Sequence, residues 1–147
     1  MIIDLFFRIA TGWPMSKKPV ADLVVSALNM AVWNRKPEAG LIHHSDHGSQ
    51  YTSLAFSQRL IETDNVGSMG TVGDVLDNAV AESFYATLQT ELLDGYSWPT
   101  RSKLRSAIFE YIEGFYIRRR RHSSLDYLSP AEFEARWFNQ TILKVSA

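Results

Sequence analysis

Apolar residues recur along the chain in short stretches with two different periods. Ile2-Ile3 and Ile9-Ala10 flank the segment Asp4-Leu5-Phe6-Phe7-Arg8, and Gly12-Trp13-Pro14 ends the second run, which predicts a short hairpin over residues 1–13. Leu23, Ala27, Met30 and Ala31 then repeat at helical spacing, with Val24 and Leu28 beside them. Pro19 stands where it can open that helix, and Lys36-Pro37 closes it. Gly40 to His44 reads as a short buried strand that ends at Ser45-Asp46-His47-Gly48. Residues 52–63 predict a helix with Leu54, Phe56, Leu60 and Ile61 inward. Residues 64–77 hold three Gly without a strong period, so they read as a strand stub followed by a loop.

The second half is more helical. A helix is expected from about Asn78 to Leu93, with Asp77 or Asn78 as its N-cap. Gly95 and Pro99 punctuate the next turn, and Thr100 can cap the clearest helix of the chain. Its stripe is Leu104, Ala107, Ile108, Tyr111, Ile112 and Phe115. Ser129-Pro130-Ala131-Glu132 is a capping box with Pro at the first helical position. Trp13, Trp33, Trp98 and Trp137 are expected to pack in the core or between helices. Early strands followed by alternating helices give an α/β class.

Composition narrows the function classes. The chain has 147 residues, 46% of them hydrophobic and 21% charged, which suits a folded domain rather than a disordered segment. There is no Cys, so disulfides, thiolate zinc sites and cysteine nucleophiles are excluded. No apolar run approaches the ~18–20 residues of a spanning helix, and the start is not expected to act as a signal peptide.

The formal charge of −1 hides an asymmetry. Residues 1–100 carry 6 basic and 11 acidic side chains, net −5, whereas residues 101–147 carry 9 basic and 5 acidic, net +4. Arg118, Arg119, Arg120 and Arg121 are consecutive and precede His122, and Arg101, Lys103 and Arg105 lie in the same half. Such a run is either a solvated helix face or a phosphate-binding patch, since Arg pairs bidentately with phosphate. Charge alone leaves both open.

Two carboxylates stand out by position. Asp46 follows a predicted strand and Glu82 lies on a predicted helix, with 35 residues between them. Strand ends and helix starts are where α/β folds gather functional groups. Two-metal phosphoryl-transfer sites use hard carboxylate oxygens drawn from different elements. Asn78 lies four residues before Glu82, on the same helix face, where it can orient the Glu or touch DNA. His43 and His44 fall on opposite faces of a strand, which argues against joint zinc ligation with His47; one of them beside Asp46 as an outer partner fits better. Ser49, Gln50 and Tyr51 can cap the following helix; facing DNA is what the resemblance carried by the segments below implies for them.

Three segments carry a resemblance. HSDHGSQYTS, DNAVAESFYATLQTEL and EYIEGFYIRRRRHSSLDYLSPAEFE, in that order, resemble the catalytic region of insertion-sequence DDE transposases of the retroviral-integrase-like group, encoded by the element's second reading frame. MIIDLFFRIATGW resembles the family's second and third strands, so the likeness spans roughly residues 2–135. It implies an RNase H-like fold, a mixed sheet of about five strands flanked by helices, over a single catalytic-core domain, 1–147. It also implies metal-dependent phosphodiester cleavage and strand transfer in DNA transposition. Asp46 and Glu82 would be the second and third acids of the triad and ligands of Mg²⁺ or Mn²⁺. Asn78, Arg118 to Arg121 and His122 would contact nucleic acid.

The resemblance also implies a cytoplasmic protein, at the nucleoid when bound to DNA, with DNA as partner and other transposase subunits as homo-oligomer. The family's first acid lies on a strand before the one that Ile2-Ile3-Asp4 resembles, so the chain is expected to lack the first strand and the first catalytic Asp. Asp4 resembles a non-catalytic Asp of the family. His47, Gly70-Thr71 and Val75-Leu76 depart from more basic or polar family residues. Three roles stay open on these grounds: a strand transferase, impaired without the first Asp; an inactive remnant that binds only nucleic acid or a transposase subunit; or a self-associating chain with no DNA role.

Overall fold

The computed structural model describes residues 1–15, 20–45, 48–69 and 76–145. Pro19, Asp46, His47, Gly70-Thr71 and Val75, all singled out in the sequence, lie outside the described residues. The chain clusters into two compact units, one of residues 1–3 and 11–88, the other of residues 4–10 and 89–147.

In the first unit β1 (Ile2–Ile3) neighbours β2 (Ala10–Gly12) in a two-stranded sheet, as the expected hairpin requires. Thr11 Oγ1 donates to the Ile2 carbonyl across the pair at 3.2 Å. Helix α1 (Val20–Arg35) buries Val24, Ala27, Leu28 and Ala31, the predicted stripe. It stops where Lys36 takes a left-handed φ of 45° ahead of Pro37. Trp33, expected to pack, is 79% exposed. It stands two residues from Ala31, so the helical turn carries it away from the buried stripe.

Strand β3 (Ile42–Ser45) pairs in parallel with β4 (Val66–Met69), Ile42 opposite Val66 and Ser45 opposite Met69. Between them α2 (Leu54–Glu62) starts at Ser53, whose Oγ accepts from the Phe56 amide. It ends with Asp64 at φ 54° and the Asn65 amide donating back to the Leu60 carbonyl, a left-handed exit that aims the chain into β4. Helix α3 (Leu76–Leu88) packs against β3 and β1 and buries Phe84 and Leu88. Phe56, Leu60, Val24 and Leu28 form the core, with Ile2, Val25, Val32 and Tyr51 at its margin. Full burial of a ring such as Phe56 contributes about 2–3 kcal/mol before entropy is counted.

Three expectations change here. The strand at 42–45 is not buried: Leu41 and Ile42 are more than half exposed, because β3 has one β partner among the described residues and only its His43 face meets the core. On α2, Leu54 and Ile61 point outward, at 81% and 75% exposure. They are seven residues apart and so share a face, but that face is opposite Phe56 and Leu60. Third, α3 begins at Leu76, so Asp77 and Asn78 occupy its first turn rather than the cap position. The expected sheet of about five strands is, among the described residues, two sheets of two strands.

The second unit opens its helical part with a π-helical segment, Gln89–Leu93. Helix α4 (Arg101–Phe109) is capped by Thr100, whose Oγ1 accepts from the Lys103 amide at 3.2 Å. It runs into a second π-helical segment, Glu110–Tyr116. That widening explains why Tyr116, not Phe115, completes the buried stripe after Tyr111 and Ile112. A π ladder closes from i to i+5, as in the Ile117 amide bonded to the Ile112 carbonyl, so the residue five on, not four, returns to the same face. Helix α5 (Pro130–Val145) packs Phe133, Trp137 and Phe138 around Phe6 and Phe7.

The capping box forms as read. Ser129 donates its amide and hydroxyl to the Glu132 carboxylate at 2.8 and 2.9 Å, and the Glu132 amide donates to Ser129 Oγ at 3.3 Å. Ser129 is fully buried. Ser129→Ala is expected to lower the stability of this unit by about 1–2 kcal/mol, read from the shift in urea midpoint. A shift of a few tenths would show that water replaces the cap.

Candidate catalytic and nucleic-acid site

Glu82 lies in the middle of α3, exposed, two residues before the buried Phe84. The same turn that buries Phe84 and Leu88 therefore keeps the carboxylate at the solvent side. Asn78 is one turn earlier on the helix. Asp46 lies outside the described residues, but the strand that leads directly to it, β3, packs against α3. The structure thus packs α3, which carries Glu82, against β3, a strand of a parallel pair whose C-terminal end leads in sequence to Asp46. That end is where parallel sheets present functional groups.

His43 turns from this end into the aromatic core. Its ring sits 5.4 Å from Phe56 and 6.5 Å from Tyr51. Burial, with the charge of His44 second, pushes its pKa down to about 4, so it is neutral near pH 7. His44 is on the exposed face of the strand, as the alternation requires. Tyr51 packs on Phe56 at 5.5 Å, and Ser53 supplies the α2 cap in place of residues 49–51. Among the described residues no group of three or more His, Asp or Glu gathers as a metal site. No described helix is long and apolar enough to cross a membrane.

The basic half is less uniform than its sequence. Arg118 and Arg119 are exposed, and Arg118 Nε donates to the Glu113 carbonyl at 3.1 Å. Arg120 Nε donates to both Glu91 oxygens, at 2.9 and 3.1 Å, and its guanidinium lies 6.0 Å from the centre of the Tyr116 ring. The Tyr111 hydroxyl donates to the same Glu91 at 2.7 Å. Burial, with the Glu91 hydrogen bond next, holds the Tyr111 phenol far above its usual range. Arg121 Nη1 donates to Glu132 at 2.7 Å. Arg101, Lys103 and Arg105 are exposed on α4.

His122 packs its ring edge-on against Tyr116 at 4.9 Å, and its buried Nε2 has no hydrogen-bond partner. Burial first, then Arg120 and Arg8, push its pKa down to about 4, against the opposing pull of Glu91 and a hydrogen bond with the Tyr116 backbone. Both half-buried histidines are therefore neutral when folded and take up a proton more readily when unfolded. Stability is fully present above their unfolded pKa of about 6.5 and is lost as pH falls toward about 4. Melts between pH 7 and 4 are expected to show a falling midpoint, and His122→Phe should flatten part of that fall. An unchanged slope would show that His122 is already protonated in the fold.

Sequence reasoning missed Glu91, which the fold makes the hub of this network. Glu91 and Arg120 are 29 residues apart, and no local period links them.

The integrase core domain family matches residues 1–75, and a second family of the same description matches residues 82–141. The chain belongs to the integrase core domain family. It is similar to the transposase for insertion sequence element IS904 of Lactococcus lactis subsp. lactis (strain IL1403), at 42% identity over 90% of this chain and 52% of that protein. It is also similar to transposase InsF for insertion sequence IS3A of Escherichia coli (strain K12), at 41% identity over 91% of this chain and 46% of that protein. The chain therefore spans about half the length of the curated relatives it matches.

Proposed function

We propose that this chain is catalytic-core sequence of a DDE transposase, acting on DNA in metal-dependent phosphodiester cleavage and strand transfer. The single observation that carries this reading is the packing of α3, which bears Glu82, against β3, which runs straight into Asp46. The names of the relatives support the same reading. An RNase H-like architecture, one core domain across residues 1–147 and a cytoplasmic location belong to it.

Asp46 and Glu82 are proposed as the ligands of Mg²⁺ or Mn²⁺. Their donors are hard carboxylate oxygens, which suit these ions, whereas His43 is turned into an aromatic core and offers no competing soft site. When bound, such an ion supplies charge stabilisation for in-line displacement at phosphorus. The protein's own part is to present Glu82 from α3 and Asp46 from the segment that follows β3 in sequence, with Asn78, four residues before Glu82, to orient it or touch the DNA. No residue of this sequence is assigned as the first acid. The basic half of the chain is proposed to meet the DNA phosphates.

The test is Mn²⁺-dependent cleavage of a labelled duplex, with Mn²⁺ binding measured alongside, for the chain and its Asp46→Asn and Glu82→Gln variants. Loss of both readouts in each variant is expected. Cleavage or Mn²⁺ binding that neither substitution changes would overturn the assignment, and so would a chain that shows neither.

A further inference from the structure

We infer that the fold divides the four-arginine run by role: Arg118 and Arg119 are DNA-backbone contacts, as are Arg101 and Arg105 on α4, while Arg120 and Arg121 are tethers to Glu91 and Glu132. The run leaves a π-helical segment, and the amides of Arg119 and Arg120 both bond to the Phe115 carbonyl at 2.8 Å. The chain turns there, and Arg120 and Arg121 meet carboxylates from other elements.

Arg120 has the stronger hold. Its Nε faces both oxygens of Glu91, its guanidinium plane lies over Tyr116, and its side chain is only 25% exposed. Glu91 is fixed at the same time by the Tyr111 hydroxyl. A phosphate would have to replace a carboxylate that is already charge-paired, and doing so would leave Glu91 half-buried without its cation. Arg121 is held by Glu132 and reaches the Tyr127 carbonyl at 3.4 Å. Glu132 is itself locked in the capping box with Ser129. His122 is half-buried, its Nε2 enclosed and its ring against Tyr116, which takes it out of phosphate contact.

Arg118 and Arg119 differ in their partners. Both are exposed, as Arg121 is at 58%, but among the described residues neither meets a carboxylate. The Arg118 Nε bond to the Glu113 carbonyl uses one donor of its guanidinium and pairs it with no charge. Arg101 and Arg105 are one helical turn apart on α4, so a second cationic row lies on the same unit. Duplex DNA fits such a surface, because its phosphates are met by point contacts that need no pocket.

The outward half of this inference rests on the DNA-binding reading above; the inward half does not. The experiment measures affinity for a mixed-sequence B-form duplex against salt, and thermal melting, for Arg118→Ala/Arg119→Ala, Arg120→Ala, Arg120→Lys and Arg121→Ala. The double variant is expected to reduce the salt slope by about 2, near one unit per lost phosphate contact, with an unchanged melting midpoint. Arg120→Ala is expected to leave the slope in place and lower the midpoint by about 5 °C or more. Arg120→Lys keeps the charge but loses the planar fork, so it should melt early and bind DNA normally. Arg121→Ala is expected to keep the slope and lose a smaller part of the midpoint. If Arg120→Ala or Arg121→Ala lowers the slope as much as the double variant does, the division is wrong. If the unsubstituted chain binds the duplex without salt dependence, the DNA reading fails, and the melting results alone judge the tethers.

Discussion

Glu82→Gln is expected to reduce Mn²⁺-dependent strand cleavage by about 10²–10³-fold or more, with no change in fold or in salt-dependent DNA binding. The substitution is close to isosteric and removes one negative charge from an exposed site on α3, so the helix and its Phe84–Leu88 contact with the core are undisturbed. What it removes is a hard anionic ligand. A neutral amide oxygen holds a divalent cation far less well than a carboxylate, and several kcal/mol of transition-state stabilisation ride on the position of that cation. Glu82→Asp is the sharper companion. It keeps the charge and shortens the reach by one methylene, so an intermediate loss of cleavage with Mn²⁺ binding partly kept points to ligand geometry. Equal activity in all three proteins would remove Glu82 from the catalytic centre and with it the proposed pairing with Asp46.

How far the sequence foretold the structure depended on the range of the interaction involved. Helix α1, the Thr100 cap and the Ser129–Glu132 box were legible because each is decided within three or four residues by propensity and local hydrogen bonding. The faces of α2 were misjudged because Leu54 and Ile61 are as apolar as Phe56 and Leu60, and periodicity alone cannot say which of two opposed apolar faces meets the core. The exchange of Phe115 for Tyr116 reflects a change of helical pitch at Glu110–Tyr116, which no residue in EYIEGFY announces. The partners of the arginine run were illegible for another reason. A run of identical charges carries no mark of which members will meet Glu91 or Glu132, and those partners arrive from other elements once the chain is folded. Of the candidate site, the helix bearing Glu82 and the strand before Asp46 were legible as elements. Their packing against one another is a tertiary fact, visible only in the fold.

Gly12→Ala is expected to destabilise the first unit by at least about 3 kcal/mol, or to prevent its folding, as read by urea unfolding. Gly12 ends β2 where the strand crosses α1. A Cβ built there would fall far inside 3.0 Å of the Ala27 carbonyl oxygen, at 3.0 Å from its carbon and at 3.3 Å from the Ala31 Cβ. The obstacle is helix backbone, which cannot rotate aside as a side chain would. Relief demands that strand and helix separate. Separation would open the Ala27–Ala31 face and disturb the Asn34 side-chain bond to the Thr11 carbonyl, now 3.0 Å. Small residues at 27 and 31 on the helix and no side chain at 12 on the strand are thus one packing solution, read from two distant parts of the sequence. Gly95 supplies the contrast, since a Cβ there meets nothing within 4 Å. Gly95→Ala should move the unfolding midpoint little, within about 0.5 kcal/mol. If the two alanine variants unfold alike, the close approach of β2 to α1 is not what requires glycine at position 12.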